Sequence, residues 1–328
     1  MAEPPTASCR LYALLARDGR SAVVFRRGPS KQVAVLRWAL DDDRLELGQW
    51  FKGRIYERRC DLSADGDLLI YFAANWKAPY QSWTAVSRPP YLTALALWPK
   101  GDAWGGGGMF LSRTVIGLNH HVLEQPVQAS ATEPRGAWHP LDAAAGKRAK
   151  KAEPVVTEIA LPANHRVRRW HDDYAGAGED DPLHSHRLIR DGWTCVAAGD
   201  HGPHSSGKLA WEFSSPEIYE RPQPAGRLRL RRVLKAIGER NGRWYVEDFE
   251  IINDAGACLR LIAGCDWADW QATGDLLFAR GGCLYRLPAR FAHESVDDPL
   301  TNARCVADLG PMTFKGVAAP ASALSWPK

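Results

Sequence analysis

At 328 residues, with 45% hydrophobic and 24% charged side chains, the chain has ample material for a packed core and lies outside the composition of disordered proteins. A net charge of +4, from 42 basic and 38 acidic residues, is too even to mark a dedicated nucleic-acid binder, and no stretch reaches the roughly 18 apolar residues of a membrane span, so nucleic acid and membrane are not expected partners. The seven cysteines form no CxxC pair, and "MAEPPTASCRLYALLARDG" lacks the charged-then-apolar pattern of a signal peptide; both features predict reduced thiols in a cytoplasmic protein.

Strand-like runs follow one another along the chain. "CRLYALL" (9–15), "SAVVFRR" (21–27) and "KQVAVLRW" (31–38) are separated by the turn signals "ARDGR" and "GPS". The pattern continues at 67–73, 91–98, 108–118, 155–161, 192–198, 207–213, 226–238 and 242–252, then at 257–264, 274–280, 282–287 and 303–309. Fourteen Trp, 29 Gly and 22 Pro fit many short strands joined by many turns. No long segment carries apolar residues at helical spacing with caps. Residues 125–154 read as a mobile loop insertion, and 170–191 as a second, polar, turn-rich insertion.

One phrase occurs twice. Asp61–Leu69 and Asp269–Leu277, laid on Gly66 and Gly274, agree at six of nine positions. Weaker echoes fall at Gly19 in "LARDGRSAVVF" and Gly192 in "LIRDGWTCVAA". If the longer gaps hold several units, the period is about 40 to 50 residues, near that of a four-stranded propeller blade. "LSADGDLLIYF" resembles the Ser-x-Asp-Gly phrase of TolB-like and tryptophan-aspartate β-propeller repeats, and "DWADWQATGDLLFARGGCLYRL" is similar to part of such a blade. The resemblance implies an all-β, single-domain propeller over 1–328, with five or six four-stranded antiparallel blades; a pair of β-sandwiches is the competing fold. Closure is expected from strand 9–15 or strand 303–309 pairing within one shared blade.

Several clusters could carry function. Trp76, Trp83, Arg88 and Trp104 have the aromatic-plus-Arg composition of a binding hot spot, and equally that of a propeller core. Trp104 opens "WGGGG", which reads either as a wide turn or as a ligand loop with the indole as lid. His184 and His186 form an HxH pair; on a strand both would share one face and could reach one metal ion with His201, His204 and a carboxylate from Asp172 or Asp173. The adjacent pair His120 and His121 should point to opposite faces. Arg227, Arg229 and Arg231 read as one face of an edge strand, protected by charge, with a stripe that follows nucleic-acid phosphates as the weaker alternative. Glu217, Glu220, Glu247, Asp248 and Glu250 group along the same region and read mainly as solvated strand faces.

No catalytic motif stands out. The expected function is a non-catalytic binding or scaffold module that engages a protein partner, or a ligand, through one face, with no cofactor. The alternative is a metal-dependent hydrolase holding zinc, manganese or iron at the His/Asp set.

Overall fold

The computed structural model describes residues 9–29, 31–127, 158–170, 182–200, 211–238 and 243–327. The fold is all-β. The first sheet is a meander of β1 (Arg10–Leu15), β2 (Ser21–Arg27), β3 (Gln32–Ala39) and β4 (Arg44–Lys52). The second comprises β5 (Arg54–Ile55), β6 (Asp61–Leu62), β7 (Leu69–Ala74), β8 (Ser82–Ser87) and β9 (Ala94–Pro99), with β5 and β6 both pairing with β7. The third joins β10 (Gly108–Phe110), β11 (Val115–Leu118), β12 (Glu158–Ala160) and β13 (Arg166–Arg169) in the order β10-β11-β13-β12. Its β11–β13 pair is parallel, a departure from a pure antiparallel meander.

The fourth sheet runs in chain order through β14 (Thr194–Asp200), β15 (Trp211–Pro222), β16 (Arg229–Ile237), β17 (Tyr245–Ile252) and β18 (Cys258–Ile262). The fifth does the same through β19 (Cys265–Trp270), β20 (Leu276–Arg280), β21 (Cys283–Leu287) and β22 (Arg304–Asp308). The first and last strands do not share a sheet, contrary to the expected closure: β1 belongs with β2–β4, and β22 with β19–β21. The expected 108–118 strand is a hairpin, because "SRT" turns the chain between β10 and β11.

The repeated phrase has a structural role. At Gly66 and Gly274 the backbone is left-handed, φ +75° and +87°, a region open to glycine at little cost, and each N–H closes a tight turn onto the carbonyl three residues back. Gly19 does the same between β1 and β2, with φ +75°. Buried Asp61 accepts the Phe110 N–H at 2.7 Å. Its counterpart Asp269 accepts from Arg221 of β15 and from the Trp270 N–H. The shared Asp thus stitches its strand to a neighbouring sheet in both copies.

Contacts divide the chain into two compact units, one built mainly from Leu188–Thr313 and the other from Ser30–Arg187. In the first, Trp193, Tyr219, Phe249, Trp270 and Phe278 anchor the core. In the second, Ile70, Trp98, Phe110, Ile116 and Val167 do so. β16 is the central strand of its sheet, not an edge. Arg229 and Arg231 both bind Glu220 of β15, and Arg231 also reaches Glu250 of β17. Arg232 joins Glu217 and Glu247, and Lys235 joins Asp248. The carboxylates and cations of this region are therefore partners in a cross-strand ladder.

Candidate functional site

The site lies in the unit built from Ser30–Arg187, at one end of the second and third sheets. β7 ends and β8 begins at this end, joined by the 75–81 turn; β9 ends here and leads through 100–107 into β10. Trp76, Trp83 and Trp104 are thereby brought to one end of the second sheet. Arg88 follows the far end of β8 and does not join them.

Trp76 is 53% exposed and Trp104 62%. Trp76 has φ +58° and Gln81 φ +61°, uncommon for side chains of their size; the N–H groups of Asn75 and Trp76 both reach the Gln81 carbonyl, at 3.0 Å. The hairpin holds a large indole in water on a left-handed backbone. Strain of that kind concentrates at functional positions. Trp83, by contrast, is half-buried and meets Phe51 edge-on at 5.6 Å.

Beneath the loop that carries Trp104 is a hydrogen-bonded floor. Buried Arg59 donates to the carbonyls of Ala103 and Gly105 at 2.7 and 2.6 Å, and its guanidinium faces the rings of Tyr56 and Phe72. Gly106 and Gly107 are left-handed. A Cβ at Gly106 would strike the Phe72 ring, and one at Gly107 the Arg59 carbonyl. The glycine run therefore allows close approach to the protein's own Arg59 and Phe72.

The Gly107 N–H donates to Thr84 Oγ1 at 2.7 Å, and Thr84 Oγ1 lies 2.9 Å from His120 Nε2. His120 is buried and His121 exposed, so the adjacent pair does face opposite ways. Burial, helped by nearby Lys100, lowers the His120 pKa to about 3, leaving a neutral ring suited to a structural hydrogen bond. Lys100 and Asp102 pair at 2.5 Å, and Asp102 also accepts the Trp104 N–H at 2.9 Å.

The histidine segment holds a helix, α1 (Leu183–Arg190), within the region read as polar insertion. On a helix, residues two apart point about 200° from each other, so His184 and His186 do not share the face that a strand would give them. His184 is buried with Nδ1 3.2 Å from Arg187, whereas His186 is exposed and its ring meets Trp170 edge-on at 5.0 Å. Arg187 donates to the carbonyls of Cys60 and Glu57, which brings α1 to the same end of the unit. Asp172, Asp173, His201 and His204 lie outside the described residues, as does most of 125–154. Among the described residues, no three His, Cys, Asp or Glu side chains gather as a metal centre. None of the described helices is long and apolar enough to cross a membrane.

Contributors not expected from the sequence include Arg54, Tyr56 and Arg59. Arg54 lies over the Tyr56 ring at 4.3 Å, and Lys52 over Phe314 at 4.6 Å. Their signal was the alternation of rings and cations in "WFKGRIYERR" (50–59), which sits between two recognisable strand groups. No protein-family model and no curated protein sequence matches the chain.

Proposed function

We propose that the protein is a binding module whose five sheets are blades of a β-propeller, and that the end carrying Trp76 and Trp104 is its contact surface for a protein partner. The observation that carries this reading is the exposure of both indoles at one end of the second sheet, one of them on a left-handed backbone. Large aromatics dominate binding energy where an interface closes over them, and leaving them in water serves no purpose in the core. The propeller assignment draws support from the five sheets and from the same turn recurring at Gly19, Gly66 and Gly274. The Arg59 floor, hydrogen-bonded on both sides of Trp104, suits a preformed platform, which loses little conformational entropy on binding.

The test is affinity capture with quantitative mass spectrometry, comparing the wild-type chain with Trp76→Ala/Trp104→Ala. Circular dichroism and melting temperature verify that the variant folds. A partner retained by the wild type and depleted about tenfold or more with the double variant is expected, since two aromatic anchors each contribute on the order of 1–2 kcal/mol or more. Equal retention of every partner by both proteins sinks the reading.

A further inference from the structure

The rim around the two indoles carries a group of cations without acidic partners among the described residues. Gln32 pairs with Lys52 across β3–β4, and the Gly53 N–H donates to the Lys31 carbonyl at 2.8 Å, so Lys31 and Lys52 share the end of the first sheet. Arg54 pairs with Ala74 across β5–β7, two residues before Trp76, and Lys77 follows Trp76. Lys31, Lys52 and Lys77 are exposed and Arg54 is half-buried. Among the described residues none of these four makes an ion pair, whereas Arg229, Arg231, Arg232 and Lys235 of the fourth sheet are all paired. Arg54 Nε is shielded from water and has no hydrogen-bond partner among the described residues, while the guanidinium plane rests on Tyr56. Lys31 shares with Trp76 a left-handed backbone, φ +57°, so the turns of two sheets present their side chains from the same uncommon geometry.

We propose that this rim docks an acidic segment of a partner protein. Carboxylates would meet Arg54, Lys31, Lys52 and Lys77, and apolar side chains of the same segment would pack on Trp76 and Trp104. The inference rests on the binding-module reading above and adds the partner's chemistry to it. A guanidinium stacked on a ring and fixed in orientation suits a carboxylate fork. The rim also contains Asp102, whose side chain is 49% exposed beside Trp104. A carboxylate there repels a continuous phosphate backbone but tolerates a peptide whose acidic and apolar residues alternate, which favours a protein segment over single-stranded nucleic acid.

The experiment measures fluorescence anisotropy of three fluorescein-labelled probes against the full chain. One is a short peptide of repeating Asp-Glu-Leu, another its Asn-Gln-Leu counterpart, and the last an oligothymidylate of equal length. The expected result is binding of the acidic peptide that weakens as salt rises and falls about tenfold in Lys31→Gln/Lys52→Gln/Lys77→Gln, with little binding of the other probes. Arg54→Gln gives a second variant in case the triple one misfolds. Equal binding of the acidic and neutral peptides, both lost in Trp76→Ala/Trp104→Ala, overturns the acidic assignment while leaving the binding surface standing. Tighter binding of the oligothymidylate than of the acidic peptide replaces the proposal with a nucleic-acid reading. No binding of the acidic peptide also overturns it, and the capture comparison then decides separately whether the indoles bind a partner of other chemistry.

Discussion

Burial displaces the pKa values of His120 and of the largely buried Asp266 carboxylate in opposite directions. His120 falls from an ordinary value of 6.5 to about 3, through burial and then the charge of Lys100. Asp266 rises from 3.8 to about 6 because burial outweighs its pairing with Arg243 at 3.2 Å. Between about pH 6.5 and 3 the unfolded chain takes up a proton at His120 that the folded chain refuses, so this residue makes the fold less stable as pH falls, by at most about 1.4 kcal/mol per pH unit. Asp266 acts with the opposite sign: its contribution is fully present below pH 3.8 and is lost as pH rises through about 6. The expected outcome is that His120→Gln loses less stability than the wild type between pH 7 and pH 4, whereas Asp266→Asn loses more. Urea melts at the two pH values measure both. Stability differences from wild type that do not change with pH would show that neither group titrates as its surroundings require. His120 was visible in the sequence as one of an adjacent pair; its burial depended on the Gly107–Thr84 contact, which joins segments with no local signal.

At the scale of single elements, polar residues in buried strands limited what sequence patterning could show. β8 reads "SWTAVS" and buries Ser82, Thr84 and Ser87, so hydroxyls fill positions where an apolar alternation would have announced a strand. β19 reads "CDWADW" and half-buries two aspartates. The short α1 was missed because its stability comes from Arg187 docking on Cys60 and Glu57, and eight residues alone form no stable helix in water. The Gly192 echo of the repeated phrase belongs to this helix: Gly192 has φ +91°, and its N–H and that of Trp193 close back on Ile189 and Leu188 as a helix C-terminal cap. Space around Gly192 is open, with Arg221 Nε at 3.8 Å the nearest atom to an added Cβ. Gly192→Ala therefore incurs the backbone cost alone, about 1 kcal/mol. Arg187→Gln should cost more, on the order of 2–3 kcal/mol, by leaving buried carbonyls unmet. Hydrogen exchange across α1 distinguishes them: protection should drop modestly for Gly192→Ala and be largely lost for Arg187→Gln. Unchanged α1 protection in Arg187→Gln would show that another contact holds the helix.

Over the whole molecule, the recurring turn was legible where it needs glycine and obscured where it does not. Gly19 and Gly66 stand 47 residues apart, and a further 47 residues on lies Arg113, in the β10–β11 turn, which has no glycine. Gly226, between β15 and β16, closes the same turn onto Gln223 at 3.2 Å and stands 48 residues before Gly274. Gly226 lacks the left-handed backbone of the other three and is preceded by "QPA" where the phrase has "SAD", so nothing in the pattern marks it. These four turns share one hydrogen bond, and all but that of Gly226 also share the left-handed glycine. Gly19→Ala and Gly274→Ala should each destabilise by about 1 kcal/mol through the left-handed backbone. Gly66→Ala should cost more, because its Cβ would also collide with Ser21 Oγ. At Gly226 the new Cβ would instead press on Gln223, whose Nε2 donates to the Gly274 carbonyl at 2.8 Å, so that variant loses stability by breaking the link between two turns. Combining Gly226→Ala with Gln223→Ala should then cost less than the two single effects added together, since either change alone removes the same bond. Chemical denaturation of the series measures this. Strict additivity of the Gly226 and Gln223 changes would show that the two turns are held independently, and a neutral Gly19→Ala would show that its turn does not depend on the left-handed glycine it shares with Gly66 and Gly274.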